Sequence, residues 1–254
     1  MKKVSVIILL IFIEFSLVPS TLTSTESYDQ IRNLVDMPVS GITPKNSLCE
    51  DLYLYPSGGI LAEISYSPFD NFSFGLSFSI DNLIGDGEVT SQKYPNFNCR
   101  LRLFNETLFS PAIMIGFNNQ GRGKYNTSSK RFQTLSPGFY IVAGKSYNWL
   151  FGSLGLHLGL NYSLDQEVRN RRPNIYLGFE QFILKNFSYN MEFNSNIDDR
   201  NKDFTLKAGL LNVSFKLFLQ KDITAELIFR DILNHKKSPS GFERWLGIEL
   251  IQNL

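Results

Sequence analysis

Residues 71–80 read Asn-Phe-Ser-Phe-Gly-Leu-Ser-Phe-Ser-Ile. Phe72, Phe74, Leu76, Phe78 and Ile80 alternate with Ser73, Gly75, Ser77 and Ser79. Successive side chains of an extended chain point to opposite faces. The stretch is therefore a strand with one large apolar face and one small polar face. Residues 153–163 repeat the arrangement, with Leu154, Leu156, Leu158, Leu160 and Tyr162 against Ser153, Gly155, His157, Gly159, Asn161 and Ser163. A soluble sandwich would turn such an apolar face inward, whereas a membrane barrel would turn it outward. The rest of the chain decides between them.

The 254 residues suffice for one large β domain, and a net charge of +1 implies no general attraction to nucleic acid. Aromatic residues make up 14% of the chain, with 22 Phe and 11 Tyr, although mean hydropathy is slightly negative at −0.10. Aromatic girdles around a polar interior give that mixture. Cys49 and Cys99 are too few for a disulfide scaffold and fall on strands that are not expected neighbours.

The N-terminus places Lys2 and Lys3 before an apolar run, Val4–Val18, which Glu14 interrupts and Pro19 stops. This reads as a secretory signal over residues 1–24. No later segment has the length or purity of a membrane helix, so a closed barrel is the remaining way into a bilayer. Residues 25–47, with Pro38, Gly41 and Pro44, read as an ordered lead-in segment, and 48–254 as the barrel.

Twelve strand candidates follow: 48–55, 59–67, 71–80, 97–106, 109–118, 136–146, 153–163, 173–183, 187–195, 204–219, 222–231 and 242–251. The tenth is overlong and changes phase near Leu210–Asn212, which predicts a β-bulge there. Connections alternate short and long, apart from the short first one at 56–58. Sorted loops and an even strand count are the mark of outer-membrane barrels, with tight turns inside and longer loops outside. Greek-key sandwiches do not sort their loops in this way. The expected fold is thus all-β: a single antiparallel transmembrane barrel in a Gram-negative-type outer membrane.

By phase, the polar face carries Glu63, Arg100, Arg102, Glu180, Glu192, Lys207, Lys216, Glu226, Arg230 and Glu249. These charges are expected to line the lumen. Their signs balance, which favours paired networks over the one-sided ring of an ion-selective pore. The expected outer loops are basic, through Arg122, Lys124, Lys130 and Arg131, then Arg169, Arg171 and Arg172, then Lys236 and Lys237. They suit pairing with lipopolysaccharide or capture of an acidic glycan.

The stretches Asp36-Met-Pro-Val-Ser-Gly41, Tyr55-Pro-Ser-Gly-Gly59, Asn82-Leu-Ile-Gly-Asp-Gly87, Pro111-Ala-Ile-Met-Ile-Gly-Phe117, Gly121-Arg-Gly and Ser136-Pro-Gly-Phe-Tyr140 carry a resemblance over nearly the whole chain after the leader. It resembles the barrel portion of the YjbH-like family of exopolysaccharide-associated outer-membrane proteins. The resemblance implies an outer-membrane location and a link to surface polysaccharide, and it brings no catalytic residues.

Motifs of other chemistry fall short. Ala143-Gly-Lys-Ser146 lacks the upstream Gly and following helix of a phosphate loop, and Gly116–Gly121 is followed by Arg122 where Lys is required. No nucleotide is therefore expected. His157 faces the polar side with Gly159 two residues on, so it reads as an interior hydrogen-bonder; a nucleophile would have to be brought to it by folding. Asp198-Asp199 reads as a solvated turn. Asp81, Asp86 and Glu88 fit no defined calcium loop. No enzymatic activity, cofactor or metal is expected. The expected partners are outer-membrane lipid, lipopolysaccharide and surface polysaccharide, with no nucleic acid. Two functions compete: a small pore or export-associated barrel for surface polysaccharide, and a structural or adhesive barrel acting through its basic loops. A soluble secreted sandwich, such as a lectin, is the third reading.

Overall fold

The computed structural model describes residues 18–19, 31–149, 152–165, 171–183, 186–220, 222–237 and 241–254. Apart from Val18–Pro19, the expected signal segment lies outside the described residues. Twelve antiparallel strands form the wall: β1 (Ser47–Tyr55), β2 (Gly59–Phe69), β3 (Phe72–Asp81), β4 (Asn96–Phe104), β5 (Ala112–Asn118), β6 (Gly138–Trp149), β7 (Gly152–Tyr162), β8 (Asn174–Ile183), β9 (Phe187–Asn194), β10 (Leu210–Gln220), β11 (Ile223–Arg230) and β12 (Glu243–Asn253). Each pairs with its sequence neighbour, and β12 pairs with β1 from Leu246↔Leu54 to Asn253↔Ser47. The sheet closes on itself and leaves no long open edge. A β-sandwich is excluded.

Phase determines which way each side chain points. Ser73, Ser77 and Ser79 of β3 are buried, while Phe74 and Leu76 are exposed. On β7, Leu156, Leu158 and Leu160 are 44%, 52% and 46% exposed, and His157 and Asn161 between them are buried. The exposed leucines and phenylalanines form a belt around the outside. The charged and small polar side chains face in. Such a belt, on an even number of antiparallel strands sorted into short turns at one end and long loops at the other, is the architecture of an outer-membrane barrel. The short turns include 70–71 and 105–111, where Thr107 Oγ1 accepts from the amides of Phe109 and Ser110, and at the same end β7 follows β6, β9 follows β8 and β11 follows β10 within a few residues. At the opposite mouth lie 82–95, 119–137 and 195–209, with the described parts of two further connections, 163–165 with 171–173 and 231–237 with 241–242.

The expected bulge at 210–212 is absent. β10 begins at Leu210, because Gly209 at φ +84° turns the chain out of the ladder. Residues 204–208 belong to the loop, where Thr205 bridges Lys236. The register of β10 shifts instead between Phe218 and Gln220, beside a short turn.

The belt gives a direct test. Leu158 sits mid-strand opposite Leu177 and Ala143, with its side chain turned outward. Leu158→Arg is expected to cost about 2–4 kcal/mol of stability in lipid, as for a cation at the bilayer midplane. Urea titration in liposomes measures it. A loss below about 0.5 kcal/mol would show that this face does not meet hydrocarbon.

Candidate functional site: a segment seated in the lumen

Serines and glycines on the inner face leave room inside the wall. Residues 31–43 fill it. All of them are buried, yet none belongs to a barrel strand. The chain departs from β1 at the short-turn mouth, where the Asn46 amide donates to Ser67 O and the hydroxyls of Thr43 and Ser67 hydrogen-bond. It then rises within the barrel and doubles back. Leu34 N donates to Met37 O, Val39 N donates to Arg32 O, and Asn33 bridges Pro38. Of the lead-in expected over residues 25–47, residues 31–43 therefore form a small hairpin inside the barrel, while 25–30 lie outside the described residues.

Wall groups hold this hairpin at every level. The amides of Val35, Asp36 and Met37 converge on one oxygen of Glu192, at 3.2, 2.9 and 2.8 Å. Successive amides of a tight turn form an anion-binding nest, and here a wall carboxylate sits in it. Asn212 donates to the other Glu192 oxygen and to Asp36. Arg230 grips both oxygens of Asp36 at 2.8–3.0 Å and also binds Glu243 at 2.7 Å. The Arg32 guanidinium lies 2.6 Å from both Asp51 and Glu249. Arg100 donates to Arg32 O and Asn33 Oδ1, Lys216 to Asn33 O, and Tyr176 to Pro38 O. Arg102 binds Ser40 O through two nitrogens. Charge-assisted bonds of this kind are the strong ones, and burial makes each costly to break.

Apolar contacts complete the seat. Val35 packs with Tyr53, Tyr55, Leu61, Ile228 and Trp245. Met37 and Ile42 pack with Met114, Tyr140, Val142 and Tyr176. Two wall glycines make room: a Cβ on Gly178 would collide with the Leu34 side chain, and one on Gly144 with the Ser40 hydroxyl. Between Tyr53, Lys216, Glu226 and Glu249, a small cavity has space for about one water, at 10 Å³.

The wall charges named from sequence meet here. Glu63 pairs with Arg122, Lys216 with Glu226 at 3.8 Å, and Glu180 with His157 at 3.1 Å. Arg100, Arg102, Glu192, Arg230 and Glu249 contact the inserted hairpin directly. Lys207 does not line the lumen: it is exposed on the loop before Gly209, which removes it from the strand phase that placed it inside. The basic loop residues divide. Lys124, Lys130, Arg171 and Arg172 are exposed, whereas Arg169 lies outside the described residues. Arg122 and Arg131 are not on the rim. The hairpin formed by Arg122–Asn126 and Arg131–Thr134 folds inward, and both guanidiniums are buried against carboxylates. Lys236 is buried with them, while Lys237 stays exposed. Arg32, Asp36, Asp51 and Glu243 were not legible as site residues.

Nor is Asp198-Asp199 a solvated turn. Both residues are buried. Asp199 accepts from Arg131 at 2.8 Å, from Lys236 at 2.6 Å and from Thr205 at 2.8 Å. Three outer loops are thereby latched over the mouth. Burial opposes ionisation of Asp199, but the hydrogen bonds from Arg131 and the Lys236 charge outweigh it and hold the carboxyl below its usual range. Burial pushes Asp198 up to about 6. The signs are opposite. The Asp199 contribution is complete above the ordinary carboxylate range and is lost as pH falls through its depressed value. Ionising Asp198 destabilises the latch as pH rises from its ordinary value through about 6. Asp198→Asn is therefore expected to slow amide exchange in residues 122–134 at pH 7.5, by up to about 2–3 kcal/mol, and to change nothing at pH 4. Equal exchange at both pH values would exclude a buried, ionising Asp198.

No family model matches the chain, and no curated protein sequence matches it. Among solved structures, similar barrels are the KdgM porin (13% identity, TM-score 0.46, covering 80% of this chain and 98% of that one) and the NanC porin (8%, 0.43, 80% and 98%). The Acinetobacter baumannii outer membrane protein Omp33 is another (8%, 0.42, 82% and 97%). At these values the likeness carries no argument about this chain, whose architecture rests on its own strand pairing.

Proposed function

We propose that the protein is a gated outer-membrane channel, without enzymatic activity, in which residues 31–44 form the gate. The observation that carries this reading is the seat itself. Wall cations bind main-chain carbonyls of the hairpin, a wall carboxylate binds its amides, and glycines are placed where its side chains enter. Main-chain groups are uncharged, so Arg100 and Glu192 give up only neutral partners when the hairpin leaves and keep their charge for a solute. Asp51, Glu63, Glu226 and Glu249 lie on the adjoining strands β11, β12, β1 and β2, while Arg100 and Arg102 lie on β4. Lys216 of β10 and Arg230 of β11 stand among those acids, and a lumen that intersperses both signs in this way favours polar, hydroxyl-rich solutes over ions of a single sign. Such solutes agree with the surface polysaccharide implied by the YjbH-like resemblance. Planar-bilayer recording with and without residues 31–44 tests the gate, and block of the open current by added oligosaccharide tests the cargo. A current unaffected by saccharides would remove the polysaccharide role.

The adhesive alternative loses Arg122, Arg131 and Lys236 to internal pairs. Capture of lipopolysaccharide or acidic glycan would fall to Lys124, Lys130, Arg171, Arg172 and Lys237.

A further inference from the structure

The Arg32 guanidinium sits among three groups whose chemistry suits a different cation. Cys49 and Asp51 of β1 and Glu249 of β12 bring Sγ and one carboxylate oxygen each to within 4.8 Å of one another. Cys49 and Asp51 are buried, and they lie across the β12–β1 pairing from Ile251 and Glu249. Arg32 fills the cluster through one nitrogen, Nη2, which reaches Asp51 and Glu249; Nη1 reaches Ser65 at 3.3 Å. Its Nε is buried without a hydrogen-bond partner among the described residues, although the residue is only 7% exposed. A planar fork is thus an incomplete occupant here. The thiol gains no hydrogen bond from it.

We propose that Cys49, Asp51 and Glu249 form a binding site for a borderline divalent cation of the zinc class, which the Arg32 guanidinium occupies while the hairpin is seated. One sulfur and two carboxylate oxygens within 4.8 Å of one another are a donor set such an ion accepts, with water completing the coordination. The exchange balances in charge. The guanidinium leaves with +1, the metal enters with +2, and the thiol releases one proton to solvent as the metal–sulfur bond forms. With both carboxylates ionised the cluster carries one net negative charge in either state, so the exchange adds no charge to the lumen. Cation and hairpin therefore compete for the same three groups. The competition rests on the gated-channel reading, whereas the binding site can be measured without it.

The test uses the full chain in detergent, in a Cys99→Ser background so that one thiol remains, with cadmium ion as the probe. The readout is the thiolate-to-metal absorbance. In Arg32→Gln, cadmium is expected to bind at least tenfold more tightly than in the parent and to give the thiolate band; adding Cys49→Ser abolishes that band. Arg32→Lys retains a positive charge and is the second variant, should the first fail to fold. Its compact ammonium reaches fewer oxygens, so a smaller rise in affinity is expected. Equal affinity in parent and folded variants, or a band that survives Cys49→Ser, overturns the site. An open deletion channel with no thiolate band in either Arg32 variant retires the metal site and leaves the gate. A thiolate band in a chain whose deletion channel stays closed keeps the site and retires the gate.

Discussion

Removing residues 31–44 is expected to turn a nearly silent barrel into one with discrete conductance, an increase of roughly tenfold or more. Twelve strands enclose more space than the eight whose interiors side chains alone can fill. The filler here is a separate piece of chain. Its removal leaves the wall ladders and the outward belt intact, so the barrel is expected to keep its heat-modifiable gel migration. The carboxylates and guanidiniums that lose partners then face water, which compensates them in the hydrated lumen. The comparison is made in planar bilayers at equal protein insertion, with gel migration as the folding control. A deletion variant that migrates as a folded barrel and conducts no more than the parent would end the gating interpretation and leave a solid structural barrel.

Arg230→Ala is expected to cost about 3–5 kcal/mol, the range for removing one partner of a buried ion pair. Arg230 compensates Asp36 and Glu243 together, donates to Thr134 and stacks 4.4 Å over the Trp245 ring. Without it, Asp36 retains Arg122 at 3.8 Å and Asn212, while Glu243 keeps the Trp245 indole N–H. Arg230→Lys keeps one charge but loses the fork that spans both acids, so its cost is expected to fall between parent and Ala. The midpoint of urea unfolding in liposomes reads both variants. A shift below about 1 kcal/mol for Ala would mean that these carboxylates are already solvated.

The wall was legible because period-two alternation is local. Phe74 against Ser73 and Leu158 against His157 declare their faces within three residues. The loops were legible as the intervals where alternation lapses, except where Gly209 ended a strand whose alternation had been carried too far upstream, taking Lys207 inside with it. The hairpin was not legible, because residues 31–44 have no period. Their partners lie far away in sequence, as Asp36 and Arg230 do. Composition also misled at the outer loops. Arg122 and Arg131 look like any exposed basic pair, and nothing near them announces that Glu63 and Asp199 wait inside. One signal was present and unused. Ser73, Gly75, Ser77 and Ser79 were read as a small polar face and taken no further, yet side chains that small cannot fill a cylinder of this girth, so something else had to.

The hairpin is spliced directly onto β1, and β1 is also the strand whose pairing with β12 seals the cylinder. Its cargo of buried charges cannot be threaded through a finished wall except by way of the turn-side opening. The interior is therefore expected to be loaded before the seam shuts. A change that slows loading, such as Glu192→Leu with its three stranded amides, would hold β1 and β12 apart and leave two raw sheet margins to recruit neighbouring chains. Newly made protein of that kind would accumulate as joined oligomers, visible by cross-linking, before any loss of stability appeared in the mature barrel.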